Sequence, residues 1–300
     1  MADQQSIITL NIGSQRVAMG VFDLTKKGEL VLKSYKATSI LADPMTEASR
    51  MPQVQLAIKE LAQELKVKGK VCYALSGQSV LNRFVKLPPL EEENIDELVR
   101  FEAQQNFPFK IEEVIWDWQV LPGDGIEKEV ILVAIKTDQL NDISEMVAET
   151  GLHTDFVDSS PTSLYNALKY NYGDAEESTL LIDVGAKSSN LVYLDGEKFF
   201  TRSVNFGGGT LTSAIAKEYD VTFAEAENSK ISSGLVSMGS GHTAQLDDAT
   251  AALGTLIRNS LSRLNAQISQ TTTLFRSQHG GRPPQRILLA GGGANLQIGR

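Results

Sequence analysis

The start of the chain alternates short apolar runs with polar, glycine-containing turns, a pattern that predicts a strand-rich domain. Residues 7–10, 16–23 and 29–37 have strand length and short connections, so they predict a three-stranded meander. Residues 53–66 carry apolar side chains at helical spacing, and 71–76 is a continuous apolar run typical of a buried strand. The predicted order is therefore β-β-β-α-β.

A second unit follows, and its pattern differs from that of the first. It predicts, in order, a strand over 79–87, a helix over 91–107, strands over 114–121 and 129–136 and a helix over 137–150. Pro88-Pro89 marks the break after its first strand. Between 91 and 129 there are 12 acidic and three basic residues, which indicates either a solvated face or a surface that meets a basic partner.

The opening pattern then returns, which indicates an internal repeat. Three strands are predicted over 179–183, 190–195 and 197–205, and the stretch 10-LNIGSQRVAMGVFD-23 matches 182-IDVGAKSSNLVYLD-195 in its order of strand, glycine turn and strand. Two copies of one half predict two similar domains that face each other across a cleft. The remainder predicts a long amphipathic helix over 246–275 and, over 286–296, a strand followed by three glycines.

Composition excludes several classes of function. The 300 residues have a formal net charge of −9, whereas a general nucleic-acid-binding protein needs a basic surface. Three scattered histidines and one cysteine provide no metal-ligand spacing and no Cys or Ser–His nucleophile. No signal peptide is predicted, and apolar runs such as 130–135 are far below the roughly 18 residues that span a bilayer. We therefore expect a cytoplasmic protein with no direct membrane insertion.

The glycine turns supply the first candidate chemistry. A turn between two strands that carries glycine and small hydroxyl residues exposes backbone N–H groups, which can cradle phosphate oxygens. One such turn per domain would hold a polyphosphate from both sides, and glycines after a later strand let the backbone approach a planar base closely. Each signal alone is weak, but their order along one chain is much more specific.

These motifs resemble those of the actin-like ATPase superfamily. The stretch 11-NIGSQRVA-18 is similar to its first phosphate loop, 183-DVGAKSSN-190 to its second, and 288-LLAGGGANL-296 to its adenosine motif. Within the superfamily, 98-LVRFEAQQNFPFKIEEVIWDWQVL-121 and 207-GGGTLTSAIAKEYDVTFAEAENSK-230 closely resemble the PilM family of type IV pilus assembly proteins.

The resemblance implies an α/β, actin-like ATPase fold of two related, ribonuclease H-like domains with a small inserted β-α-β-β-α subdomain. The implied ranges are 1–85 with 151–175 for the first domain, 86–150 for the subdomain and 176–300 for the second domain. That second domain would divide into two parts. One part comprises 176–205 together with 286–300, and the other comprises 206–285. The chain reaches Arg300 just after the adenosine motif, where family members usually continue, so the resemblance implies either a shortened or a divergent ending.

The resemblance also implies a site for ATP or ADP with Mg²⁺. Terminal phosphates would meet Gly13, Ser14 and Gln15, Asp183 would hold Mg²⁺ through water, and Gly185 with Ala186 would close on the β-phosphate. Lys187 is a further residue implied to bind the nucleotide. Gly208 would lie near the sugar-phosphate, Glu227 and Lys230 at the ribose, and Gly291, Gly292 and Gly293 beside the adenine.

Three departures from the family pattern weaken the implied ATPase activity. Asn11 stands where the first loop usually has Asp, Ala18 where a Lys usually follows, and Ser160 where related filament proteins place the Glu that positions the attacking water. Asp158 is close to Ser160 in sequence and is a candidate carboxylate for positioning the attacking water. Loss of several such charges predicts a nucleotide that serves as a structural or switch ligand, with little or no turnover.

As to partners, the resemblance implies a cytoplasmic scaffold of a type IV pilus-like machine, peripheral to the inner membrane. It would bind the cytoplasmic tail of a PilN-like inner-membrane protein and other pilus assembly components, and it could self-associate. The tail would dock between the subdomain and the first domain, with Phe84, Leu87, Phe101, Phe107 and Phe109 as candidate contacts. An active ATPase and an actin-like cell-division protein are the alternatives.

Overall fold

The computed structural model describes residues 6–40, 43–44, 47–88, 95–123, 128–173, 176–236 and 247–298. The strands are β1 Ser6–Ile12, β2 Arg16–Leu24, β3 Leu30–Ser39, β4 Gly69–Leu75, β5 Leu81–Leu87, β6 Val114–Val120, β7 Lys128–Lys136, β8 Leu152–Ser159, β9 Thr179–Val184, β10 Ser189–Asp195, β11 Lys198–Val204, β12 Leu235–Val236, β13 Arg286–Ala290 and β14 Gln297–Ile298. The helices are α1 Glu47–Glu64, α2 Ile95–Asn106, α3 Thr137–Glu149, α4 Ser160–Tyr172, α5 Gly208–Tyr219, α6 Phe223–Ser233 and α7 Asp248–His279.

Some predicted boundaries lie outside these ranges. They are Pro89, the first residues of the helix predicted over 91–107, residue 246, where the predicted long helix begins, and Arg300. Every strand and helix predicted from the sequence overlaps an element of the same type. The helix α1 begins several residues before the predicted start at 53 and passes through Pro52.

The two large sheets share one topology. The first has the order β3-β2-β1-β4-β8 and the second the order β11-β10-β9-β13. In each, an antiparallel meander is followed by a strand that pairs in parallel with the first strand of that meander, β4 with β1 and β13 with β9. This arrangement confirms the internal repeat. It also brings the glycine turn after β1 and the glycine turn after β9 to equivalent edges of their sheets.

Helices pack against each of the two large sheets, and a hydrophobic core lies between them. Val54, Ile58 and Leu61 of α1 are buried with the apolar face of the first sheet. In the second domain, α5 and α7 bury Leu211 and Phe275, among others, with strands β9 to β11. Within the described residues, no helix has both the length and the apolar character required to cross a membrane.

The inserted subdomain is a three-stranded antiparallel sheet, of order β5-β7-β6, with α2 on one face. Leu87, Val99 and Phe107 are buried in the core between this sheet and α2. The sheet begins at Leu81, ahead of the predicted subdomain start at 86, and Val147 of α3 is buried in the core of the first domain. The domain ranges themselves stay a prediction.

The other face of the small sheet packs against the second domain. The ring of Phe84 lies 5.7 Å from that of Phe199 and 5.1 Å from that of Phe200, measured between centroids. Leu121 and Ile131 are buried in the same cluster, together with residues of α4 and the second sheet. The small sheet is therefore held between α2 and the second domain, and Phe84 is part of the contact with the second domain.

Candidate functional site

The two glycine loops have the same local geometry. The amide of Gly13 donates to the carbonyl of Arg16 at 3.0 Å, and the amide of Gly185 donates to the carbonyl of Ser188 at 3.0 Å. A Cβ atom would lie 2.6 Å from the Arg16 oxygen at the first position and 2.7 Å from the Ser188 oxygen at the second. Both turns are too tight for a side chain at the glycine, which explains the matching residue pattern.

Both loops open into one cavity of about 740 Å³. It is lined by every residue predicted for the nucleotide site, namely Gly13, Ser14, Gln15, Asp183, Gly185, Ala186, Lys187, Gly208, Glu227, Lys230, Gly291, Gly292 and Gly293. Asn11, Ala18 and Ser160, the three departures, line it as well. Both glycine loops therefore line one cleft, as predicted, while the roles of its residues stay predictions. We refer to it below as the interdomain cleft.

The second loop is fixed by the helix that follows the meander. The amide of Gly208 donates to the carbonyl of Gly185 at 2.9 Å, and the amide of Gly209 donates to that of Ala186 at 2.7 Å. A Cβ atom at Gly207 would meet the Ala186 carbonyl oxygen at 2.5 Å. The start of α5 and the loop are therefore in direct backbone contact, which requires a glycine at 207.

Asp183, which lines the interdomain cleft, accepts a hydrogen bond from Asn190, which in turn accepts one from Ser203. Asn190 Nδ2 donates to Asp183 Oδ2 at 3.0 Å, and Ser203 Oγ donates to Asn190 Oδ1 at 2.7 Å. Burial raises the pKa of Asp183, and the hydrogen bond from Asn190 partly opposes that effect. A divalent cation nearby would favour the ionised form of this carboxyl group.

The residues around Asp183 fit Mg²⁺ in one specific way. No group of three His, Cys, Asp or Glu side chains arranged for a metal occurs in the part of the chain that the structure describes. Mg²⁺ commonly keeps several waters and binds through one or two carboxylates and the phosphates of a nucleotide. One carboxylate beside two glycine loops suits that mode and does not suit a site made of protein ligands alone.

The Glu227 and Lys230 pair is part of the cleft wall. Lys230 Nζ contacts the carbonyl of Gly208 at 3.2 Å, Thr212 Oγ1 at 2.8 Å and Glu227 Oε2 at 2.7 Å, and the Thr212 hydroxyl also hydrogen-bonds Glu227. Lys230 is buried, and an ammonium group has three donors. All three of its donors thus have protein acceptors. In this pair it is the carboxylate of Glu227 that can still accept a hydrogen bond from a ribose hydroxyl, because both of its own contacts are made by Oε2.

Arg50 supports the first loop and was missed by sequence reasoning. It lies in α1, is buried, and donates from Nη1 to the carbonyl of Gly13 at 3.3 Å. The residues before 53 lacked a clear helical pattern, so nothing in the local sequence pointed to Arg50. Arg16 and Lys187 also line the cleft, and these side chains supply positive charge there despite Ala18.

Asp158 has a structural role at the start of α4. Its Oδ1 accepts from the amide of Ser159 at 2.7 Å and from Thr162 Oγ1 at 2.5 Å, and its Oδ2 accepts from Ser163 Oγ at 2.8 Å. Among the described residues that line the interdomain cleft, the carboxylates are Asp183 and Glu227. The possible water-positioning role of Asp158 therefore finds no support in the geometry.

The residues predicted to contact a partner fall into two groups. Leu87 and Phe107 are buried in the subdomain core and are not free to line an open groove, whereas Phe84 packs on the second domain and lines a cavity there. Phe101 is 56% exposed and Phe109 is 36% exposed. The Lys136 ammonium lies 4.7 Å from the centroid of the Phe109 ring, which places Phe109 near the start of α3.

Comparison with protein families decides the family of the chain. The model of a family described as type IV pilus assembly protein PilM matches residues 9–298. The chain belongs to the PilM family. The matched range contains both glycine loops and the small three-stranded sheet.

Solved structures similar to this PilM-family chain share the actin-like fold. A chain of a PilM–PilN type IV pilus biogenesis complex is 24% identical with a TM-score of 0.78, over 97% of this chain and 82% of that one. The ethanolamine utilization protein EutJ from Carboxydothermus hydrogenoformans is 13% identical with a TM-score of 0.52, over 97% and 78%. MreB5 of Spiroplasma citri, solved with ADP, is 14% identical with a TM-score of 0.50, over 98% and 86%.

Proposed function

We propose that this PilM-family chain is a cytoplasmic, actin-like scaffold of a type IV pilus-like assembly machine. It binds the cytoplasmic tail of a PilN-like inner-membrane protein, which places it at the membrane through a partner. The observation that carries the proposal is the family match over 9–298, together with the similarity to a chain from a PilM–PilN complex over 97% of this chain.

A nucleotide is the ligand that the interdomain cleft suits best. Two glycine loops with the same hydrogen-bond geometry face the cavity, and Arg16 and Lys187 can compensate the charge of a polyphosphate. The cavity volume of about 740 Å³ lies within the roughly 300–1,000 Å³ of small-ligand sites. ATP or ADP would bind with its phosphates at the loops, and Mg²⁺, when bound, would neutralise phosphate charge beside Asp183.

We expect ATP turnover close to the uncatalysed rate. Asn11 has no charge to offer a metal, Ala18 no cation, and Ser160 no carboxylate, while Asp158 is committed to the start of α4. Losing one preorganised charge typically costs about 10²–10³ in rate. Phosphate release from ATP with Mg²⁺ is the measurement. Turnover on the order of 1 s⁻¹, as in working enzymes, would favour the active ATPase alternative.

The exposed aromatic residues of the subdomain define the proposed docking surface for the tail. Phe101 of α2 and Phe109 of the following loop are exposed, and the segment 91–129 carries 12 acidic against three basic residues. Buried aromatic anchors supply most of the energy at interfaces, whereas long-range charge mainly raises the association rate and is screened by salt. A tail with basic and apolar residues fits this surface.

A peptide titration tests this docking surface. We expect Phe101→Ala and Phe109→Ala each to weaken binding of a PilN-type tail peptide about tenfold, a typical effect of removing an aromatic anchor. Calorimetry at low and high salt, with and without ATP and Mg²⁺, is the measurement. Tyr219→Ala, an exposed aromatic position on α5, is the matched control. Unchanged affinity in both Phe variants would place the tail elsewhere, and no binding by the wild type would refute the partner proposal.

A further inference from the structure

A second cavity lies where the inserted subdomain meets the second domain. Its volume is about 620 Å³. Strand β5 of the subdomain forms one wall, strand β11 of the second domain forms another, and the last turn of α7 closes it. None of the residues predicted for the nucleotide site lines it. We call it the junction pocket.

The charge of the junction pocket is opposite to that of the whole chain. Arg83, Lys86 and Arg202 line it, and Glu129 is the one carboxylate among its described lining residues. Glu129 Oε1 lies 2.6 Å from His279 Nδ1, so this carboxylate already has a partner. On a chain of formal net charge −9, three cations around one cavity form a local attraction for anions.

Two polar atoms of the pocket residues lack a protein partner. Arg202 Nη1 and Asn82 Oδ1 are shielded from solvent and have no hydrogen-bond partner among the described residues. A buried polar group without a partner is costly, and more so when it is charged. In native proteins such groups are usually satisfied by water, an ion or a ligand. Both atoms belong to side chains that line the pocket, one from each domain.

The chemistry of these groups selects one class of ligand. We propose that the junction pocket binds a small organic phosphate. A phosphate monoester carries a charge of about −1.5 to −2 near pH 7, which suits three cations better than a single carboxylate does. Arginine matches phosphate oxygens with two parallel N–H groups. The organic part lies against the rings of Phe84, Phe200 and His279, and a hydroxyl or N–H group on it donates to Asn82.

Such a ligand would join two parts of the molecule. Arg202 belongs to β11 and Asn82 to β5, so one phosphate ester contacts the second domain and the subdomain together. The residue after Arg202 is Ser203, whose hydroxyl begins the hydrogen-bond series through Asn190 to Asp183. Occupation of the pocket is therefore expected to hold the subdomain in the arrangement described above.

Calorimetric titration with phenyl phosphate tests the assignment. At constant ionic strength, we expect Arg202→Gln to weaken binding about tenfold or more, and Lys86→Gln about threefold, because each removes one charge-assisted contact. Arg263→Gln, an exposed arginine of α7 outside the pocket, should bind as the wild type does. Lys86 is exposed, so its substitution tests the pocket even if Arg202→Gln fails to fold.

Several results would overturn the proposal. Unchanged affinity in Lys86→Gln and in a folded Arg202→Gln would place the anion elsewhere, including the interdomain cleft. An equal loss in Arg263→Gln would show general attraction to surface charge. Inorganic phosphate binding as tightly as phenyl phosphate would show a simple anion site with no role for the aromatic wall. Absence of any binding by the wild type would remove the site altogether.

Discussion

We expect the Gly291→Ala substitution to lower the free energy of unfolding by about 2–6 kcal/mol. Gly291 has φ 84° and ψ 165°, a region that is essentially restricted to glycine and costs another residue about 1–3 kcal/mol. An added Cβ atom would lie 2.4 Å from the carbonyl oxygen of Val184 and 2.7 Å from Asp183 Oδ1. Overpacking of that kind typically costs about 1–3 kcal/mol more.

The neighbouring glycine provides a matched control for this prediction. No atom lies within 4 Å of a Cβ built on Gly292, so Gly292→Ala should change stability by no more than about 0.5 kcal/mol. Urea unfolding followed by far-UV circular dichroism measures both variants. Equal stability of the two variants would show that the loop after β13 is not held against β9 as the structure has it.

The second large effect concerns magnesium at the interdomain cleft. We expect Asp183→Asn to weaken nucleotide binding about 10–100-fold when Mg²⁺ is present, the usual cost of losing a group that holds a metal through its water shell. The asparagine side chain has nearly the same shape as the aspartate side chain and can still accept from Asn190 through its oxygen, so the fold should persist. The measurement is ATP affinity with Mg²⁺ and with EDTA.

Two comparisons separate a metal effect from general damage to the site. With EDTA present, Asp183→Asn and the wild type should bind ATP with similar affinity, because no metal is then held. Asp158→Asn makes the same chemical change at the start of α4, outside the cleft lining, and should leave ATP affinity unchanged. An equal loss with and without Mg²⁺ would contradict the assigned role of Asp183.

The sequence by itself determined the repeat and hence the site. Strand, glycine turn and strand recur in 10–23 and 182–195 because each turn needs a residue without a side chain where its amide meets a carbonyl oxygen. Such local requirements are visible as residue types at fixed spacing. The strand order β-β-β-α-β follows from the same patterns, and two copies of it place both loops at one cleft.

The tertiary structure alone decided how the groups in and around that cleft are used. Arg50 hydrogen-bonds the first glycine loop, Lys230 donates to acceptors in the cleft wall itself, and Asp158 accepts hydrogen bonds at the start of α4. The sequence makes Phe84, Leu87 and Phe107 candidates for contact with a partner. In the structure, however, Leu87 and Phe107 are buried in the subdomain core and Phe84 packs against the second domain. Periodicity shows which side of an element is apolar, whereas the surface that covers this side comes from residues far away in sequence. For that reason the sequence predicted the position of the cleft, while its electrostatics and the junction pocket became visible only in the folded chain.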